Sequence, residues 1–289
     1  MKAQAARRLS CFGLLASASA LVACSLVRDL DELEMRAPPG ADAGAGDSAP
    51  MTEAGDAGDA GDAGACPSDM VEQRVAGGAR FCIERTEVTQ DAYERFLAVK
   101  DVATPTGCES NTSYRPDEPE PDGGRCDTSF DPKGKPKLPV VCVDHCDATA
   151  YCAWRGRRLC SAPGGGRLEA SSVNDPALDE WFVACAGASN PRAYSSGATP
   201  GQCVHDRSSA EPAGSAGCAT PEGVLHLSGN VNEWTDICNA GRASCLVRGG
   251  AFPGTEAALA CLHTGVGDTG PKARTARSVF TGFRCCKDP

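Results

Sequence analysis

Sixteen cysteines lie between Cys66 and Cys286, and only Cys11 and Cys24 stand outside that stretch. An even, dense set in an exported chain argues for a framework of disulfides, which narrows the folds open to it more than any other feature. A metal–thiolate reading is weaker. The cysteines form no repeated C-x-x-C knuckles, and the four histidines, His145, His205, His226 and His263, are scattered. Pairing by proximity alone suggests Cys66–Cys82, Cys108–Cys126, Cys203–Cys218 and Cys238–Cys245. Sequence does not settle the connectivity, because the number of pairings is too large.

Export is read from the first 24 residues. Lys2, Arg7 and Arg8 make a basic start, and Leu9 to Ala20 is an apolar run too short to span a bilayer. Leu21-Val22-Ala23-Cys24 then fits a bacterial lipobox; the alternative is an ordinary secretory signal cleaved nearby. In the lipobox reading Cys24 becomes the N-terminus and carries acyl chains. Each buried methylene adds about 0.8 kcal/mol, so several chains hold a protein firmly on a membrane. Ser25 does not resemble an inner-membrane retention signal, which points to the outer membrane or cell surface of a bacterial envelope.

The net charge is −10, but residues 37–65 hold no Lys or Arg and six acids: Asp42, Asp47, Glu53, Asp56, Asp59 and Asp62. More than half of the imbalance therefore sits in one low-complexity segment. The Gly55–Gly64 triplets lack proline and are too few for collagen. Such a stretch cannot bury enough apolar surface to offset its conformational entropy, so it reads as a disordered linker reaching roughly 30 Å. Nothing is basic enough to suggest nucleic acid. The chain thus divides into a lipoprotein signal at 1–24, an acidic Gly/Ala/Asp linker at 25–65 and one folded domain at 66–289.

Within that domain three helices are predicted. Thr89 caps one with Tyr93, Phe96 and Leu97 inward. Asp144 caps a second with Ala148, Tyr151 and Cys152 inward and Gly156 as its stop. Asp175-Pro176 opens a third with Leu178, Trp181, Phe182 and Cys185 inward and Gly187 at its end. Short strands are expected at Val140–Val143, Cys245–Arg248 and Val279–Cys285, and Trp154, Trp181 and Trp234 are expected in the core.

Six motifs occur in an order that resembles the formylglycine-generating-enzyme, or sulfatase-modifying-factor, family. They are Phe81-Cys-Ile-Glu-Arg-Thr-Glu87-Val-Thr89, Pro139 to Asp144, Ala150 to Leu159, Glu180-Trp181, Gly223-Val-Leu-His-Leu-Ser-Gly-Asn-Val-Asn-Glu-Trp234, and Arg248-Gly-Gly250 with Gly282-Phe-Arg-Cys285. The resemblance implies a single irregular, loop-rich α+β domain related to C-type lectins. It also implies the disulfides Cys152–Cys285 and Cys185–Cys261.

The family's oxidases hold copper(I) between two thiolates, which soft ligation favours. Here Gly254 and Leu259 occupy the two thiolate positions. Ala251 replaces a serine, and Asn232 stands where the family has a tryptophan. Copper is therefore not expected, and no catalytic residue is assigned. Calcium is the remaining family ion. The carbonyls of Gly229 and Val231 with the Glu233 carboxylate are its candidate ligands, although His226 replaces the usual Asp or Asn. The resulting expectation is a membrane-tethered binding or structural module with a protein, peptide or glycan ligand. The alternative is a formylglycine-generating-type enzyme acting on exported proteins or peptides.

Overall fold

A computed structural model describes residues 64–116, 126, 129–265 and 269–289. The lipobox with Cys24, and the linker up to residue 63, lie outside the described residues. The local signals explain most elements. The Thr89 hydroxyl accepts from Ala92 N and starts α1 (Gln90–Leu97). Asp144 and Asp147 form a reciprocal capping box at the start of α2 (His145–Trp154), which satisfies two backbone donors at once.

The third helix, α3 (Glu180–Ala186), begins later than the Asp175-Pro176 signal suggests. Its cap is Asp179, which accepts from Phe182 N. Asp175 instead closes a local turn by accepting from Ala177 N. Leu178 therefore precedes the helix and is exposed, while Trp181, Phe182 and Cys185 are buried and Gly187 ends the helix with φ +88°.

The strands are short: β1 (Met70–Arg74), β2 (Arg80–Glu84), β3 (Arg158–Leu159), β4 (Asn232–Cys238), β5 (Ser244–Arg248), β6 (Gly270–Ala273), β7 (Thr281–Phe283) and β8 (Cys285–Lys287). They make two four-stranded sheets, ordered β1-β2-β8-β3 and β6-β5-β4-β7. All pairings are antiparallel except β4 with β7, where Asn232, Glu233 and Trp234 face Thr281, Gly282 and Phe283. The strand expected over Val279–Cys285 is thus two strands in two different sheets, and Arg284 is the residue at the switch. Val140–Val143 is not a strand. Val140 N bonds Val88 O and Cys142 N bonds Ser278 O, but Cys142 has φ +61°, which breaks an extended ladder.

Among the described residues two large apolar clusters dominate the core, beside two smaller ones around Leu168 and Leu259. Tyr93, Phe96, Tyr151 and Phe283 pack around α1 and α2, with Tyr93 and Tyr151 stacked at 5.6 Å. Phe81, Ile83, Trp181 and Leu227 form the second around α3. Trp154 is not core: it is 36% exposed and caps the first cluster through Phe96 and Tyr151.

All sixteen domain cysteines are paired. The bridges are Cys66–Cys82, Cys108–Cys146, Cys126–Cys142, Cys152–Cys285, Cys160–Cys286, Cys185–Cys261, Cys203–Cys218 and Cys238–Cys245. Cys108 does not pair with Cys126. Its loop lies on the first turn of α2, where Cys146 is nearer, and Cys126 takes Cys142 instead. Cys152–Cys285 and Cys160–Cys286 staple α2 and β3 to the final strand across 133 and 126 residues. Chain-entropy arguments give such long loops about 5 kcal/mol each and a seven-residue loop about half of that. The bridge with the smallest loop, Cys238–Cys245, is therefore the one the fold depends on least.

Candidate functional site

The site is built where β4 passes the loop after β5. Adjacent β4 residues point to opposite faces, so Asn232 and Glu233 enter different environments. Glu233 is fully buried. Its Oε2 accepts from Trp181 Nε1 at 2.9 Å. Arg284 Nε donates to both oxygens at 2.9 and 2.8 Å, and Arg284 Nη2 donates to Oε1 at 2.7 Å. The remaining Arg284 donors reach the carbonyls of Glu84 and Leu225. Glu233 was expected to serve calcium together with the Gly229 and Val231 carbonyls. In the structure it pairs with a buried guanidinium.

Two further buried groups belong to this network. Glu87 Oε1 accepts from Asn230 Nδ2 at 2.9 Å, and its Oε2 lies 3.9 Å from Arg284 Nη2. Burial, with the charge of Glu233, pushes the Glu87 carboxyl up to about 8 against the pull of Arg284. His226 is held at about 4 by burial and by Arg284, so it is neutral where it meets Ser215. Above them, Arg248 binds Asp179 at 2.6 Å, Asn174 at 2.9 Å and the Cys261 carbonyl at 2.7 Å. Its guanidinium lies 4.6 Å from the Trp181 ring centroid. These residues fix the closing loop to α3.

Asn232 has the opposite surroundings. It is 1% exposed, and neither Oδ1 nor Nδ2 has a hydrogen-bond partner. It lines a cavity of about 190 Å³ with Gly250, Ala251, Pro253, Gly254, Thr255 and Ala258. Gly250 must be glycine: it has φ +72°, and a Cβ there would lie 2.8 Å from Ala258 O. That close approach folds the 256–259 turn against the cavity. Phe252 and Phe280, stacked edge to face at 5.4 Å, adjoin it in sequence and through the Asn232 N to Phe280 O bond.

The structure brings Asn232, Ala251 and Gly254 to one cavity. Leu259 is not part of that lining; it is fully buried against Cys203 and Cys218. Cys261, the nearest cysteine in sequence, is committed to Cys185. Neither Gly254 nor Leu259 carries a ligand atom, so the residues at the thiolate positions do not fit copper(I). Sequence reading missed Pro253, Thr255 and Ala258 as lining. It also missed the Arg284–Glu233–Trp181 chain, although all three residues stand inside recognised motifs.

These features place the chain in a family. It belongs to the sulfatase-modifying factor enzyme 1-like family (FGE-sulfatase), whose model matches residues 51–289. The match begins within the stretch assigned above to the linker. Among solved structures, PvdO from Pseudomonas aeruginosa is similar with TM-score 0.50 and 18% identity, over 74% of this chain and 83% of that one. Treponema denticola variable protein 1 aligns with TM-score 0.48 and 16% identity, over 76% of this chain and 95% of that one. CarF aligns with TM-score 0.45 and 17% identity, over 77% and 99%. No curated protein matches the chain.

Proposed function

We propose that this is an exported, membrane-tethered binding module of the bacterial envelope, in which the family's oxidase cleft has become a small recognition pocket. The acyl chain on Cys24 anchors it, and the acidic linker holds the domain off the outer-membrane surface. The single observation that carries the binding role is the buried Asn232 amide, whose donor and acceptor are unmet by protein in a residue that lines a cavity. An unmet buried amide costs about 1–3 kcal/mol, which a ligand offering the complementary pair recovers. A cavity of about 150 Å³ admits benzene, so about 190 Å³ suits one side chain or one peptide unit of a protein or peptide partner, or one acetamido group of a glycan. Copper and calcium have no part in this reading, since the thiolate positions carry no donor and Glu233 is paired with Arg284.

Two measurements test it. Nuclear magnetic resonance titration with an isolated peptide unit, N-acetylglycine methylamide, is expected to shift the Asn232 side-chain NH2 signals. The Asn232→Leu variant, which keeps the volume and removes the polar pair, is expected to lose that binding. A cysteine-containing peptide incubated with copper(I) and oxygen is expected to remain unchanged by mass spectrometry. Conversion of that cysteine to formylglycine would overturn the proposal in favour of the enzyme.

A further inference from the structure

We propose that Cys238, Cys245, His145 and Asp236 form a zinc site that a dithiol reductant opens and the Cys238–Cys245 disulfide closes. Among the described residues, the ligand atoms of His145, Cys238 and Cys245 all lie within 4.8 Å of one another and are buried. Asp236 adjoins this group through His145 and Cys238. His145 Nε2 is 3.3 Å from Asp236 Oδ1 and 3.7 Å from Cys238 Sγ, and Cys238 Sγ is 3.7 Å from Asp236 Oδ1. Tetrahedral zinc with bonds of 2.0–2.3 Å to N, O and S has ligand–ligand edges of about 3.3–3.8 Å. Three ligand atoms thus already sit at corners of such a tetrahedron. Cys245 is the fourth, held at bonding distance from Cys238 in place of the roughly 3.8 Å that two thiolates on one zinc require.

The setting supports both states. Cys238 and Cys245 face each other across β4 and β5, so separating the sulfurs needs side-chain rotation and no change of register. Their loop is the smallest of the eight, and opening it leaves the long-range staples intact. The turn at 239–243 next to them is exposed apart from the partly buried Arg242, which gives a reductant an approach. His145 is fixed by the edge of Trp234 at 5.8 Å. Arg242, bound to Asp236, is partly exposed and free to swing away when the carboxylate takes a cation.

The chemistry balances. A dithiol gives two electrons to the Cys238–Cys245 bond and leaves as its own disulfide, while the two sulfurs become thiols. Zinc then displaces two thiol protons and binds the thiolates, the neutral imidazole and the carboxylate. No electron passes to or from zinc.

The test uses the purified mature protein under graded dithiothreitol. Alkylation and peptide mapping are expected to show Cys238 and Cys245 as the first pair released, with seven bridges intact. With the dithiothreitol then removed in the absence of oxygen, the protein is expected to bind one Zn²⁺ at least 100-fold more tightly than the oxidised form. Co²⁺ in its place is expected to show the thiolate-to-cobalt absorption band. His145→Gln and the milder, surface-side Asp236→Asn are each expected to weaken zinc at least tenfold, while Cys238→Ser/Cys245→Ser abolishes the cobalt band. The proposal is overturned if another bridge opens first, if the reduced and oxidised proteins bind zinc equally, or if both His145→Gln and Asp236→Asn bind as the parent does.

Discussion

Asn232 and Glu233 are neighbours on one strand, yet one amide has no protein partner and the other side chain has every oxygen engaged. The Glu233 face is a closed electrostatic unit in which Arg284, Trp181 and Glu233 hold β4, α3 and the crossover between β7 and β8 together. On the other face, buried Asn232 borders a small cavity lined by Gly, Ala, Pro and Thr. The difference separates two roles on one strand: the Glu233 side chain is spent on holding the fold, and the Asn232 side chain is engaged by no protein group.

That contrast is broken most severely from the closed side. Arg284→Met leaves Glu233 buried and unpaired, and losing one partner of a buried pair costs about 3–5 kcal/mol. Denaturant unfolding is expected to show a loss of that size; a loss below about 1 kcal/mol would mean that Glu233 reaches water or another cation. A second break uses pH. Folded Glu87 keeps its proton until about 8, whereas the unfolded chain releases it near 4.5. Its favourable contribution is therefore complete below about pH 4.5 and is lost as pH rises toward 8. Glu87→Gln, which mimics the protonated form, is expected to gain on the parent by a few kcal/mol over that window, read as a widening difference in melting temperature. A constant difference would show that Glu87 is already ionised.

Trp181→Phe removes one donor to Glu233 while keeping most of the ring, and about 1–3 kcal/mol is expected. The smallest effect belongs to the Asn232 face. Asn232→Leu removes a polar group that has no protein partner, so stability is expected to stay within about 1 kcal/mol of the parent or to rise. A large loss there would show that Asn232 is structural after all and would erase the contrast.

Much of this was legible from residues alone. Thr89 and Asp144 announce their helices because each has a side-chain oxygen just before an apolar face. The motif order identified the family. What sequence hid was spatial. Asp175 and Asp179 carry the same capping chemistry, and only the ion pair of Asp179 with Arg248 shows which one is held at the helix start. Cys108 lies nearer Cys126 in sequence but nearer Cys146 in the fold. Leu259 was expected at the site with Gly254, yet it packs against the Cys203–Cys218 bridge. Arg284 looked like part of a strand, and its role follows from the switch between sheets that sequence periodicity does not reveal.

The central claim is that the family fold persists without a thiolate pair for copper. It is tested most directly by counting free thiols in the denatured, unreduced domain beside its copper(I) content after loading without added dithiol. The account predicts no reactive thiol among the sixteen domain cysteines, which form eight bridges, and no stoichiometric copper. Two reactive thiols with one tightly held copper(I) per chain would contradict it.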